Sequence, residues 1–129
     1  METDLDDINA ADKKFLKELN AGIASLVLLG VLDRAREPIY GYRIAKIVEA
    51  NKQDISMIKQ GALYPVLRSL ENNGLLQSKV EPSVSGPPRR YYSITDLGRQ
   101  TLKRWMQIWG QTITFVNSTL GEVGSDDKY

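Results

Sequence analysis

The chain has 129 residues, a formal net charge of +1, and neither cysteine nor histidine, which excludes disulfides, thiolate nucleophiles, imidazole bases and nearly every zinc or copper site. That length suits one domain with a real core and no separate sensing domain beside it. The small net charge hides an asymmetry: residues 1–12 carry five acids and no base, residues 121–129 three acids and one base, and residues 13–120 hold 16 basic against 8 acidic side chains. A basic body with acidic ends suits attraction to a polyanion, although the same charges also serve as a solubilising surface.

No spacing of Lys, Asp, Glu, Ser or Tyr resembles a catalytic site, so the chain is expected not to be an enzyme and to need no metal or cofactor. No segment is expected to approach the roughly 20 apolar residues that span a bilayer. The acidic N-terminus has the wrong sign for a signal or transit peptide, which points to a cytoplasmic protein with no membrane partner.

Residues 1–11 are polar and acidic and are expected to form a flexible N-terminus. Asp12 can cap a helix that starts at Lys13-Lys14-Phe15-Leu16, with a bend near Asn20-Ala21-Gly22, and runs through Ile23, Leu26, Val27, Leu29 and Leu32. The stretch from Ile23 to Leu32 is apolar almost all round, so it needs cover on more than one side, and a second subunit supplies it. Arg34 to Pro38 reads as a connector. Tyr40 to Ala50 reads as a second helix with Ile44, Ile47 and Val48 inward, fading at Asn51-Lys52-Gln53-Asp54.

A third helix is expected from about Ile58 to Asn73. Leu63, Val66, Leu67 and Leu70 fall on one face, and Asn73-Gly74 supplies a left-handed stop. The other face carries Lys59, Gln60, Tyr64, Arg68 and Ser69, residue types that reach phosphates and base edges. Two short helices with a polar face on the second outline a helix-turn-helix.

Leu75–Val80 and Arg89–Ile94 read as strands of a hairpin whose tip, Glu81 to Pro88, is too long for a tight two-residue turn. Tyr91 and Tyr92 alternate across the second strand, so at most one can face a nucleic acid. Thr95 caps a last helix, with Asp96 favourable to its dipole. Leu102, Trp105, Met106, Trp109, Ile113 and Val116 keep helical spacing to about residue 118. This apolar stripe exceeds what a small core absorbs and again points to a dimer.

These elements resemble the PadR family of winged helix-turn-helix regulators over roughly residues 20–110. The resemblance is carried by Tyr40-Gly41-Tyr42-Arg43-Ile44-Ala45, by Gly61-Ala62-Leu63-Tyr64-Pro65-Val66-Leu67-Arg68-Ser69-Leu70-Glu71-Asn72-Asn73-Gly74-Leu75, and by Arg89-Arg90-Tyr91-Tyr92-Ser93-Ile94-Thr95-Asp96-Leu97-Gly98. It implies a mainly α fold with a small β-hairpin: a winged helix-turn-helix over 12–94, a long C-terminal dimerisation helix over 95–120 and a flexible tail over 121–129. A last helix ending this soon corresponds to the family's short C-terminal form.

The expected DNA contacts are Tyr42, Lys59, Gln60, Gly61, Ala62, Tyr64, Arg68, Arg89 and Arg90. Pro65 is placed in about the first turn of the recognition helix, where a missing donor costs little. The expected dimer contacts are Leu16, Ile23, Leu26, Leu102, Trp105, Met106, Trp109, Ile113 and Val116. The resemblance further implies a homodimer on a palindromic double-stranded site with recognition helices about 34 Å apart, a nucleoid-associated location, and a repressor released by a small aromatic effector near Trp105 and Trp109. The competing reading is an architectural or DNA-segregation (partition) adaptor of the same fold that spreads on DNA and recruits a partner protein through its acidic termini.

Overall fold

Asn9 opens the first helix, α1 (Ala10–Arg34): its side chain accepts from the Asp12 amide at 2.9 Å, while the Asp12 carboxylate accepts from the Asn9 amide at 3.4 Å. Asp12 therefore sits inside a capping box whose cap is Asn9, not itself. A computed structural model describes residues 9–50 and 60–121. It continues with β1 (Ile39–Tyr40), α2 (Gly41–Ala50), α3 (Gln60–Asn72), β2 (Leu76–Ser83), β3 (Gly86–Ile94) and α4 (Asp96–Leu120). The acidic stretches 1–8 and 122–129 and the expected fading of α2 at 51–54 lie outside the described residues.

The helices close over one face of a three-stranded antiparallel sheet with strand order β1-β3-β2. β1 lies where the expected connector ends at Pro38 and a helix is expected from Tyr40; Ile39 pairs with Tyr92 and Tyr40 with Tyr91. Two residues carry too little alternation to show a strand period. The core gathers Leu28, Leu29 and Leu32 of α1, Ile44 of α2, Leu63 and Leu67 of α3, and Tyr92 and Ile94 of β3.

The wing also differs from expectation. Its strands extend to Ser83 and Gly86, leaving only Val84 and Ser85 to turn, with a register irregularity between Glu81 and Ser83. Pro82, Pro87 and Pro88 suggested a loop, but all three fall between the Glu81–Arg89 and Ser83–Gly86 pairs, in the irregular stretch where the ladder does not call on their amides.

α1 requires a further correction. By length and composition it contains an 18-residue window apolar enough to cross a membrane, where no such segment was expected. Lys17 and Glu18 interrupt the run by eye, yet two charges do not offset Ile23 to Leu32. Only part of that window serves the domain's own core: Ala24, Leu28, Leu29 and Leu32 are buried, whereas Phe15 and Leu19 remain exposed.

One junction joins α3, the sheet and α4. Gly74 adopts φ +78° and ends α3 with the paired bonds of a Schellman stop, Leu75 N–H to the Leu70 carbonyl and Gly74 N–H to the Glu71 carbonyl, both 2.9 Å. The Thr95 hydroxyl donates to the Gly74 carbonyl at 2.7 Å and accepts from the Gly98 amide at 2.9 Å. The Thr95 amide donates to the Leu75 carbonyl at 3.1 Å. At Gly98 a methyl group would overlap that same carbonyl oxygen and lie 2.7 Å from Ile94, so the first turn of α4 can seat on the sheet only over a glycine.

Three outcomes follow for stability. Gly98→Ala should destabilise by about 1–3 kcal/mol through overpacking against backbone, and Thr95→Ala by about 0.5–2 kcal/mol through loss of the cap, both read from urea melts. Burial pushes the Tyr92 phenol above its ordinary value, only partly opposed by Arg90. A raised acid favours the folded state below the unfolded pKa of about 10 and loses that contribution as pH rises through the folded value. Melts between about pH 9 and 12 should show an alkaline loss of stability that Tyr92→Phe reduces.

Candidate nucleic-acid interface

α3 is amphipathic. Leu63, Leu67 and Leu70 are buried, while Ala62, Pro65, Arg68, Ser69 and Asn72 are exposed at three- and four-residue spacing. Arg68 therefore stands clear of the core on a broad solvent-facing side of the helix that also carries Ala62, about one and two-thirds turns before it. Gln60 and Gly61 belong to the opening turn of α3; Lys59 lies outside the described residues. Pro65 sits inside the helix, beyond the opening turn in which it was expected, so the carbonyl four residues before it receives no helical N–H.

Tyr64 is half-buried and packs against the core, and its ring lies against the head of α2. A methyl group at Gly41 would come 2.7 Å from its Cε1 atom. The glycine preceding Tyr42 thus makes room for the recognition-helix tyrosine, a role the sequence reading did not assign. The signal was available in the co-occurrence of Gly41 and Tyr64, two motif positions read separately. Tyr42 itself is half exposed, with the Lys46 ammonium 5.2 Å from its ring centroid. Hydrogen bonding to the Tyr42 oxygen, reinforced when that phenol ionises, raises the Lys46 pKa, helped by the Glu49 carboxylate. One exposed cation and one phenol thus stand together on the first half of α2, one turn apart.

The two wing arginines diverge because alternate residues of β3 face opposite sides. Arg90 shares the inner side with the buried Tyr92 and Ile94, and its Nη1 donates to Ser78 Oγ at 2.9 Å. Ser78 in turn donates to the Glu71 carboxylate of α3 at 2.6 Å. On the outer side, the Arg89 guanidinium lies 4.3 Å from the centroid of Tyr40, whose ring meets Tyr91 edge-on at 5.5 Å. Both arginines are exposed, and each is held in place by a neighbour. The wing tyrosines are thereby accounted for: Tyr92 is core, and Tyr91 is half-buried beneath the Arg89–Tyr40 pair.

Of the residues expected at a subunit interface, Leu102 is packed in the protomer's own core and Trp105 lies partly against it. Helical spacing places them on the stripe but does not reveal where the core ends. Leu16, Ile23 and Leu26 are half-buried. Met106, Trp109, Ile113 and Val116 are exposed, as are Phe15, Leu19, Ile108, Phe115 and Leu120. The N-terminal half of α1 and the C-terminal half of α4 thus carry apolar surface that the protomer does not cover. Among the described residues no group of His, Cys, Asp and Glu is arranged to hold a metal ion.

The family model for the PadR-like transcriptional regulators matches residues 28–104. An uncharacterised protein of Lysinibacillus sphaericus is 29% identical over 87 residues, which span 67% of this chain and 77% of that protein. The crystal structure of a PadR family transcriptional regulator from Eggerthella lenta is similar with 32% identity and a TM-score of 0.68, over 86% of this chain and 93% of that one. A PadR-like transcriptional regulator from Bacillus cereus is similar with 30% identity and a TM-score of 0.62, over 81% and 97% of the two chains. With its winged helix, its exposed Arg68 ridge and these matches, the chain belongs to the PadR-like family of transcriptional regulators.

Proposed function

We propose that the protein is a homodimeric repressor that reads a palindromic double-stranded site. The exposed ridge of α3, with Arg68 at its middle and buried leucines behind it, is the observation that carries this reading. A basic side chain on a helix of that kind can reach base edges in a major groove, while Gln60 and Gly61 at the helix N-terminus bring backbone amides to phosphate. Tyr42, Arg89 and Arg90 serve the sugar-phosphate backbone, and Lys59, which lies outside the described residues, is assigned the same role from the sequence; Ala62 and Tyr64 complete the contact surface. Such contacts fix orientation, and base contacts carry the sequence.

The dimer reading is supported by the uncovered apolar surface of α4 from Met106 to Leu120 and of α1 at Phe15 and Leu19. Surface of that kind on two long helices is stable when a second copy buries it. Trp109, together with Trp105, is proposed to line a cavity between the two α4 helices that accepts a small aromatic effector and releases the DNA.

Footprinting on the strongest genomic site tests the binding mode. Protection of about two helical turns is expected, whereas protection that lengthens with protein concentration would favour a spreading adaptor. Arg68→Ala should cost about 1–3 kcal/mol at the specific site and relax its sequence preference. Arg90→Ala should weaken specific and nonspecific binding alike and reduce the salt slope by about one; equal behaviour of the two variants would overturn the assignment. Ile113→Asp should convert a dimer to a monomer in analytical ultracentrifugation and abolish binding to the palindrome, while leaving the wing and α3 folded.

A further inference from the structure

Between the last turn of α1 and the outer flank of α2 lies a recess of about 340 Å³ to which neither α3 nor the wing contributes. Its floor is apolar, formed by Val31, Ile39 and Ile47. Its rim carries Arg34, Arg36 and Arg43, with Glu37 as the one acid. All three arginines are exposed, and none takes part in an ion pair among the described residues.

We propose that this recess is a binding site for a small organic carboxylate, separate from both the recognition helix and the apolar surface of α4. Guanidinium groups match a carboxylate with paired N–H donors, and three around one opening leave an excess of positive charge even with Glu37 present. The apolar floor selects against inorganic anions, because a bare phosphate leaves Val31, Ile39 and Ile47 in contact with water. The volume falls near the lower end of the range for small-molecule pockets, about 300–1,000 Å³, which limits the apolar body to a single ring or a short chain. Glu37 disfavours a second carboxylate and accepts from a hydroxyl or amine on the ligand. DNA fits the recess less well than a small molecule does, since its backbone offers the charge without an apolar group to cover the floor. An occupied recess would tie Arg34 at the end of α1 to Arg43, the neighbour of Tyr42, and so bear on the head of α2.

The test is two-dimensional amide NMR of the full chain with phenylacetate, hexanoate, benzyl alcohol and inorganic phosphate as probes. At least one of the two carboxylates should shift the amides between Val31 and Ile47 saturably, and benzyl alcohol and phosphate should bind at least about tenfold more weakly than it does. The double substitution Arg36→Ala with Arg43→Ala should raise the Kd of that carboxylate about tenfold while leaving the rest of the spectrum in place, and Arg36→Gln alone should give a smaller rise. The proposal is overturned if neither carboxylate saturates, if shifts appear only around Trp105 and Trp109, if the arginine variants bind as the parent does, or if phosphate binds as tightly as the carboxylates. The test reads neither DNA affinity nor dimerisation, so its failure would leave the repressor reading untouched.

Discussion

The Thr95 hydroxyl holds the fold together at the point where its functional parts meet. It bonds on one side to the end of the recognition helix and on the other to the start of α4, and Gly98 allows that start to approach the Leu75 carbonyl within the space of a missing side chain. The left-handed Gly74 is what turns the chain so that this carbonyl and its neighbour are presented to Thr95. α3 with its exposed polar ridge and α4 with its uncovered apolar surface are thereby linked through a few backbone groups, not through a flexible tether. Asp33 and Arg99 add a contact between α1 and α4 at 3.6 Å, but that pair is half exposed and contributes little beside the junction.

Much of this was legible in the residues because local rules agreed. The spacing of Leu63, Leu67 and Leu70, the Asn73-Gly74 stop and the Thr95 cap each have a short-range cause, and each appears where that cause places it. Long-range matters were less legible. Two-residue β1 exists only because β3 offers it an edge, and nothing in Ile39-Tyr40 alone announces it. Gly41 and Gly98 looked like helix-start residues; their purpose lies in Tyr64 and Leu75, more than twenty residues away in the chain. Leu102 followed the stripe of its helix faithfully, but its assignment to a partner failed because periodicity gives a face and not a depth.

The site shows the same division. Residue types on α3 pointed to a nucleic-acid surface without help from the fold, whereas the arrangement of the wing needed it. Arg89 and Arg90 are adjacent and alike in sequence, yet one rests on an aromatic ring and the other joins a hydrogen-bonded chain to Glu71. That chain runs from wing to helix, so the wing's angle to α3 is set by side chains as well as by the sheet.

The order β1-β3-β2 has a separate bearing on how the molecule avoids unwanted company. Because β1 covers only Tyr91 and Tyr92, the outer half of β3 has an open edge, and β2 forms the other margin of the sheet. An unpaired edge is a template for adding a further strand. Here the open stretch of β3 is occupied by Pro87, Pro88, Arg89 and Arg90, and β2 carries Pro82 and the charged Lys79 and Glu81. Prolines withhold the amide protons that a pairing strand would use, and the charges would be stripped of water by stacking. The composition that makes the wing basic also guards it against sheet-to-sheet aggregation, leaving the helices as the route by which copies of the chain can meet.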